Sequence, residues 1–423
     1  MGTIRVKLHE LLNCLSGAQD LADPRLSNHH QQVAYLSYRF AEHLGLKNGE
    51  KNDIFSAALI HDVGALSKKE RLELIEDEPV DVNSHGFRGA KLFKDFKPLK
   101  KASEIVRYHH VPWNGGEGQL FGGELVPFSS HIVHIADRVC AQIRPKRDIL
   151  SQVSSIVGSI EQRNGTVFEP SLVEAFKELA KKEFIWFDLQ SPLPMRRVEF
   201  EGNRMLHLGI SDLLEFAHII SQIIDFRSGF TARHSAGVAK TAAEVARLMR
   251  FSKKDVKLIE IAGYLHDLGK LAIDNGIREK KGSLTESEFN EIKRHPYYTH
   301  VFLSAVKGLK KIDKWASFHH EKMNGGGYPF SAGGRDLPLG SRIVAVADVF
   351  TALTEMRPYS EGMDKENAVR ALREMAASGA LDAAVVDVLI KNIDHINEIR
   401  FASQQEAVIR YREFFKEEAQ AAD

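Results

Sequence analysis

The chain has 423 residues, 43% apolar and 27% charged, and its 57 Lys and Arg balance 57 Asp and Glu. These are globular values, the length allows about two to four domains, and zero net charge argues against a nucleic-acid polymer as partner. Two cysteines, Cys14 and Cys140, cannot form a disulfide framework, and no cationic apolar leader or run of 18 apolar residues is present, so a cytoplasmic protein without a membrane partner is expected.

In chain order, Leu8 to Leu15 reads as a short docking helix, and Val33 to Leu44 carries apolar residues at three- and four-residue spacing, the mark of an amphipathic helix. Val111 to Gly118 is glycine-rich, but no Gly-Lys-Ser/Thr follows and no strand precedes, which predicts a flexible loop and not a phosphate cradle. Pro192, Pro194 and Gly202 place a linker at 190–207. A helix over Ile210 to Phe226 then leads into a second half, where Ala239 to Met249, Ile292 to Val306 and Ala368 to Met375 again show helical spacing. Thr285 with Glu288 forms a capping box, Ser252 with Asp255 a shorter version of one, and Glu417 to Asp423 a fraying tail. Alternation of period two is scarce, so the expected fold is all-α.

The halves repeat each other. Ala58-Leu59-Ile60-His61-Asp62-Val63-Gly64 returns as Gly263-Tyr264-Leu265-His266-Asp267-Leu268-Gly269 at an offset of 205, which also links His29 to His234. His85 answers His295 and His109-His110 answers His319-His320 at 210; Asp137 answers Asp348 at 211; Phe168 to Val173 answers Leu381 to Val386 at 213. Order is kept and the offset drifts only by small insertions, which indicates internal duplication. The expected domains are 1–189, the linker 190–207, and 208–423.

Adjacent imidazole and carboxylate groups on a helix project about 100° apart and can both reach one ion. Leu258 to Gly263 marks the helix before His266 and Asp267 as buried, and burying that pair without partners would cost several kcal/mol. A single such histidine is more often a hydrogen-bonded core residue. The ordered set His234, His266, Asp267, His295, His319, His320 and Asp348 instead suits a pair of first-row metal ions, the arrangement for phosphoester hydrolysis.

This order, with His266-Asp267-Leu268-Gly269-Lys270, His319-His320-Glu321, Gly327-Tyr328-Pro329, Ala345 to Thr354 and Arg357-Pro358-Tyr359, resembles the HD-GYP family of metal-dependent cyclic dinucleotide phosphodiesterases over roughly residues 210–400. The resemblance implies two tandem HD-superfamily bundles and hydrolysis of cyclic di-GMP to the linear dinucleotide pGpG or on to GMP, with two divalent ions, iron or manganese. It implies that Asp267 bridges the ions, His234, His266 and Asp348 complete one site, and His295, His319 and His320 the other. Asp267 and Lys270 are the catalytic candidates, with Lys270, Arg357 and Tyr328 on the substrate. 3'3'-cyclic GMP-AMP is the alternative substrate. A non-catalytic scaffold that binds nucleotide or a diguanylate cyclase partner through the GYP loop is the alternative from another class, and a homodimer is left open. Asn324 stands where the family has Asp, Ser360 where a basic residue is common, and Phe230 where members with three metals carry Glu, which favours two metals and a linear product.

The first half keeps a counterpart for every ligand: His29, His61, Asp62, His85, His109, His110 and Asp137. Ala65 replaces the lysine and the GYP motif is absent. A metal-holding regulatory or dimerising domain is expected there, with a second phosphohydrolase as the alternative.

Overall fold

The computed structural model describes residues 4–76, 83–191, 206–227, 233–278, 280, 282–355 and 362–416. It divides into two compact units: a first of Leu15–Leu206, and a second of Met1–Cys14 with His207–Asp423. The first fourteen residues therefore belong with the second half, whereas the sequence reading had joined them to the first. Two contacts hold them there: β1 (Val6–Lys7) pairs antiparallel with β4 (His207–Leu208), and Glu10 accepts the Lys307 N–H at 2.9 Å. Most of the expected linker lies outside the described residues, as does the tail from 417.

Helices α1 (Leu8–Asp20), α2 (His29–His43), α3 (Asn48–Ile60), α4 (Lys68–Glu76), α5 (Ser84–Phe93), α6 (Lys100–Arg107), α7 (Phe128–Ala141), α8 (Ile149–Gln162), α9 (Pro170–Ala180) and α10 (Glu183–Gln190) span the first half. The second half has α11 (Ile210–Phe226), α12 (His234–Leu248), α13 (Lys253–Leu265), α14 (Asn275–Arg278), α15 (Glu286–Ile292), α16 (His295–Ser304), α17 (Lys310–Ser317), α18 (Leu339–Thr354), α19 (Lys365–Ala377), α20 (Ala383–Lys391) and α21 (Ile393–Lys416). The other two strands, β2 (Leu120–Phe121) and β3 (Glu124–Leu125), form a small hairpin, so the fold is all-α. No helix among the described residues is long and apolar enough to cross a membrane.

Each unit is built around the helix that opens with its first candidate ligand. In the second, α12 packs on α11, α13, α18 and α21. Its inner positions Val238, Ala239, Ala242, Val245 and Ala246 are buried and mostly small, which lets neighbours come close. At the α12–α13 crossing a Cβ on Gly263 would lie 2.6 Å from Ala239 Cα, so only glycine permits the approach that brings His234 and His266 together. In the first unit α2 packs on α3, α7 and α9 in the same way. Burial of residues such as Ile259, Phe350, Phe40 and Phe176 stabilises each unit by about 1.5–3 kcal/mol per side chain.

α11 and the Thr285–Glu288 capping box form as the sequence predicts. The helix expected over Ile292 to Val306 is two: α15 ends at Ile292 and α16 starts at His295 with Pro296 in its first turn, where a missing N–H is tolerated. α1 runs on to Asp20, past the expected Leu15. The loop after His110 is tied down where flexibility was expected: the N–H groups of Trp113, Asn114 and Gly115 donate to carbonyls of Val167, Thr166 and Gly165 at 2.6–3.0 Å. A Cβ on Gly118 would lie 1.8 Å from the Pro112 carbonyl oxygen, so this glycine serves close packing, whereas Gly115 and Gly116 serve the turn with φ of 65° and 104°.

Candidate active site and its enclosed counterpart

His266 and Asp267 lie at the end of α13 and not inside it: His266 is the C-cap, and a 3-10 turn, Leu268–Ala272, follows. The chain turns here because Gly269 runs against α16, where a Cβ would come within 2.0 Å of the His295 carbonyl oxygen. Thr299 locks the approach, accepting the Gly269 N–H at 3.0 Å and donating to the His266 carbonyl at 3.0 Å. Buried Arg227 donates to the Leu271 carbonyl at 2.6 Å from the other side. The turn thereby carries Asp267 to the middle of the histidines.

All seven expected ligands of the second half converge. Asp267 Oδ1 lies 3.3 Å from His295 Nε2 and 4.0 Å from His319 Nε2, while its Oδ2 is 3.3 Å from His266 Nε2. Asp348 Oδ1 is 3.1 Å from His234 Nε2 and 3.9 Å from His266 Nε2. His295, His319 and His320 form one group of ligand atoms, His234, His266 and Asp348 another, and His266, Asp267 and His319 connect them.

The nitrogen lone pairs show what this cluster suits. His266, His295 and His319 each place Nδ1 2.7 Å from a main-chain carbonyl three residues back, which fixes the proton on Nδ1 and leaves Nε2 bare. His295 and His319 then face each other Nε2 to Nε2 at 3.2 Å, two acceptors with no proton to share. Asp267 Oδ1 is buried with no hydrogen-bond partner. Converging bare acceptors in a buried site repel one another unless cations lie among them, and imidazole with carboxylate is the donor set of first-row metals. Burial pushes His320 down to about 4, which keeps its imidazole neutral. Burial opposes charge on Asp267, yet His266 and Lys270 hold its carboxyl well below the usual range.

Lys270 Nζ contacts Asp267 Oδ2 while its side chain remains 25% exposed, so it stands between the cluster and the surface. Tyr328 stacks on His320, with centroids 4.8 Å apart and planes 28° apart. Its loop is clamped by Glu321, which accepts the Phe330 and Ala332 N–H groups at 2.7 and 2.9 Å. Asn324 donates its amide to the Ser378 carbonyl at 3.0 Å, a bond an aspartate could not make. Arg357, Ser360 and Phe230 lie outside the described residues.

The first unit repeats the cluster. His29 Nε2 is 3.0 Å from Asp137 Oδ1, His61 Nε2 is 3.3 Å from Asp62 Oδ2, His85 Nε2 is 3.1 Å from Asp62 Oδ1, and His85 faces His109 at 3.2 Å. His61 and His109 again meet carbonyls three residues back through Nδ1. Asp62, His85, His109 and His110 form one ligand group, and His29, His61 and Asp137 a second. The surroundings differ. Arg138 donates twice to Asp137 Oδ2, at 2.7 and 3.0 Å, and buried Arg71 donates to the carbonyl of Ala65 at 2.9 Å. His134 lies against His110 and Phe168.

HD domain profiles match residues 26–142 and 218–385. A 3'3'-cGAMP-specific phosphodiesterase, number 1, of Vibrio cholerae serotype O1 is 30% identical over 414 residues, 94% of this chain and 94% of its own length. The chain belongs to the HD-domain cyclic dinucleotide phosphodiesterases of HD-GYP type. Members of this family hydrolyse phosphodiester bonds, and the chain is such an enzyme. The cyclic di-GMP phosphodiesterase response regulator RpfG of Xanthomonas campestris pv. campestris is 37% identical over 183 residues, 43% of this chain and 48% of its own. The crystal structure of a cyclic GMP-AMP-specific phosphodiesterase of V. cholerae has the same fold, with a TM-score of 0.64 at 23% identity over 92% of this chain and 98% of that one.

Several residues escaped the sequence reading. Asp225 accepts the Ser235 N–H at 3.1 Å and its hydroxyl at 3.0 Å, capping α12 from the preceding helix; Asp20 does the same for His30 at 3.3 Å. These two aspartates are 205 residues apart, the offset of the ligands, so self-comparison could have found them. Glu355, Arg138 and Arg71 have no such repeat to reveal them.

Proposed function

We propose that the second unit hydrolyses 3'3'-cyclic GMP-AMP to the linear dinucleotide, using two divalent ions, iron or manganese, held by His234, His266, Asp267, His295, His319, His320 and Asp348. The observation that supports this substrate is the likeness over 94% of both chains, including both units, to a phosphodiesterase named as specific for it. Cyclic di-GMP, the first choice from the sequence, has a specific observation too: RpfG matches 43% of this chain at the higher identity of 37%. It is the second reading, because that match covers less than half of the chain.

Bound ions would supply the positive charge that activates water and stabilises a phosphorane-like transition state. Asp267, ionised and central, would bridge them. The three Nδ1–carbonyl bonds fix the rings of His266, His295 and His319 with Nε2 aimed inward. Lys270 spends one N–H on Asp267 and has two left for a phosphate oxygen at the mouth of the site. Tyr328, with its phenol kept protonated by burial, holds one face against His320 beside that mouth. In the first unit, His29, His61, Asp62, His85, His109, His110 and Asp137 would hold metal without hydrolysis, since no lysine stands where Lys270 does.

The experiment is chromatographic product analysis of anaerobically purified, metal-analysed protein on each cyclic dinucleotide. Faster turnover of cyclic GMP-AMP supports the proposal. Faster turnover of cyclic di-GMP overturns the substrate, and no turnover of either, with metal present, favours the scaffold.

A further inference from the structure

The HD domain match of the second half ends at residue 385, before α21 begins. That helix nevertheless reaches the candidate centre. His266, His295 and His319 are oriented through main-chain carbonyls, but His234 places Nδ1 3.1 Å from Oε2 of Glu355, a carboxylate that is 6% exposed. The same oxygen lies 3.4 Å from Gln404 Nε2 on α21. Gln404 Oε1 accepts from Arg400 Nη1, and Arg400 is anchored by two further bonds to Asn397 Oδ1, at 3.0 and 2.8 Å. Gly237, three residues after His234, makes room for this chain of contacts: a Cβ there would lie 2.8 Å from Gln404 Nε2.

Burying a glutamate, a glutamine and an arginine is poor design for stability alone, because apolar residues of the same volume would serve as well or better. The network makes sense as control of one imidazole. We propose that Glu355, held by Gln404 and Arg400, is the positioning residue of His234, fixing its proton on Nδ1 and its Nε2 lone pair toward Asp348. α21 is then part of the metal centre. At the same 211-residue offset as Asp348 and Asp137, the first unit has Arg144 in place of Glu355, so the device belongs to the second unit alone. The inference rests on the reading of the second unit as a metal centre.

Apo protein titrated with Mn2+, with free ion followed by electron paramagnetic resonance, tests it directly. Glu355→Ala should weaken one class of sites about 10- to 100-fold, the usual loss when an outer carboxylate is removed. The Mn2+ concentration for half-maximal hydrolysis should rise equally, and saturating Mn2+ should restore most of kcat. Glu355→Gln, which keeps an acceptor for the Nδ1 proton, should shift less, and Gln404→Ala in the same direction. If both Glu355 variants melt cooperatively and bind Mn2+ as the wild type does, Glu355 is only a core residue and the proposal fails. If Glu355→Ala does not fold, the Glu355→Gln isotherm decides alone. A wild type that binds no Mn2+ overturns the underlying metal reading instead.

Discussion

In the first unit the Asp137 side chain is 1% exposed and bonded to a fixed guanidinium; in the second, its counterpart Asp348 is 13% exposed with Val349 beside it. Equivalent ligand distances nevertheless agree to within a few tenths of an ångström, 3.0 against 3.1 Å for the first pair and 3.2 against 3.2 Å for the facing histidines. Duplication has kept the ligand cage and altered what surrounds it. On the proposed reading of the second unit as the catalytic one, the cage alone does not set it apart; its greater access and the added cation Lys270 would.

The largest expected effect tests that separation. Asp267→Asn should lower turnover on the order of 10³-fold or more, because it weakens the central carboxylate of the cage. Asp62→Asn should leave turnover within a few-fold of wild type, and product chromatography reads both. Equal losses would break the comparison and make the first unit a participant. Lys270→Ala should cost kcat about 10²-fold with metal content unchanged, whereas Ala65→Lys should create no activity.

Stability sharpens the comparison further. Arg138→Leu leaves Asp137 buried without its guanidinium partner on Oδ2, with His29 still beside Oδ1, and should cost about 3 kcal/mol, seen as a lower melting temperature for the first unit in calorimetry. The smallest effect is acid sensitivity. Burial pushes His131 down to about 4, against 6.5 for the unfolded chain, so the fold keeps it neutral. Its contribution to stability is full above pH 6.5 and is lost as pH falls toward 4. His131→Phe should move the acid-unfolding midpoint to lower pH by a few tenths, measured by circular dichroism; Arg342, its counterpart at the 211 offset, offers no such change.

The two clusters of histidines and aspartates were legible because each member recurs in order at a nearly constant offset, and because His and Asp at those spacings have few other uses. The all-α fold was legible in the three- and four-residue spacing. The division at Cys14 was not, since a two-residue strand leaves no pattern in sequence. Nor was the end of α13 at Leu265: nothing local stops that helix, and the turn depends on Gly269 meeting α16. Glu355 and Arg138 were illegible for the same reason, each acquiring its role from tertiary neighbours. Cyclic di-GMP was preferred from motifs of the second half alone, and the likeness that favours cyclic GMP-AMP extends through the first unit.

The enclosure of the first cluster has a consequence for timing. Asp62, His85, His109 and His110 are all buried, so among the described residues no ligand is presented to solvent for exchange. An ion held there would have to wait for that unit to open locally before entering or leaving, so its exchange would follow the opening rate and not the rate of diffusion.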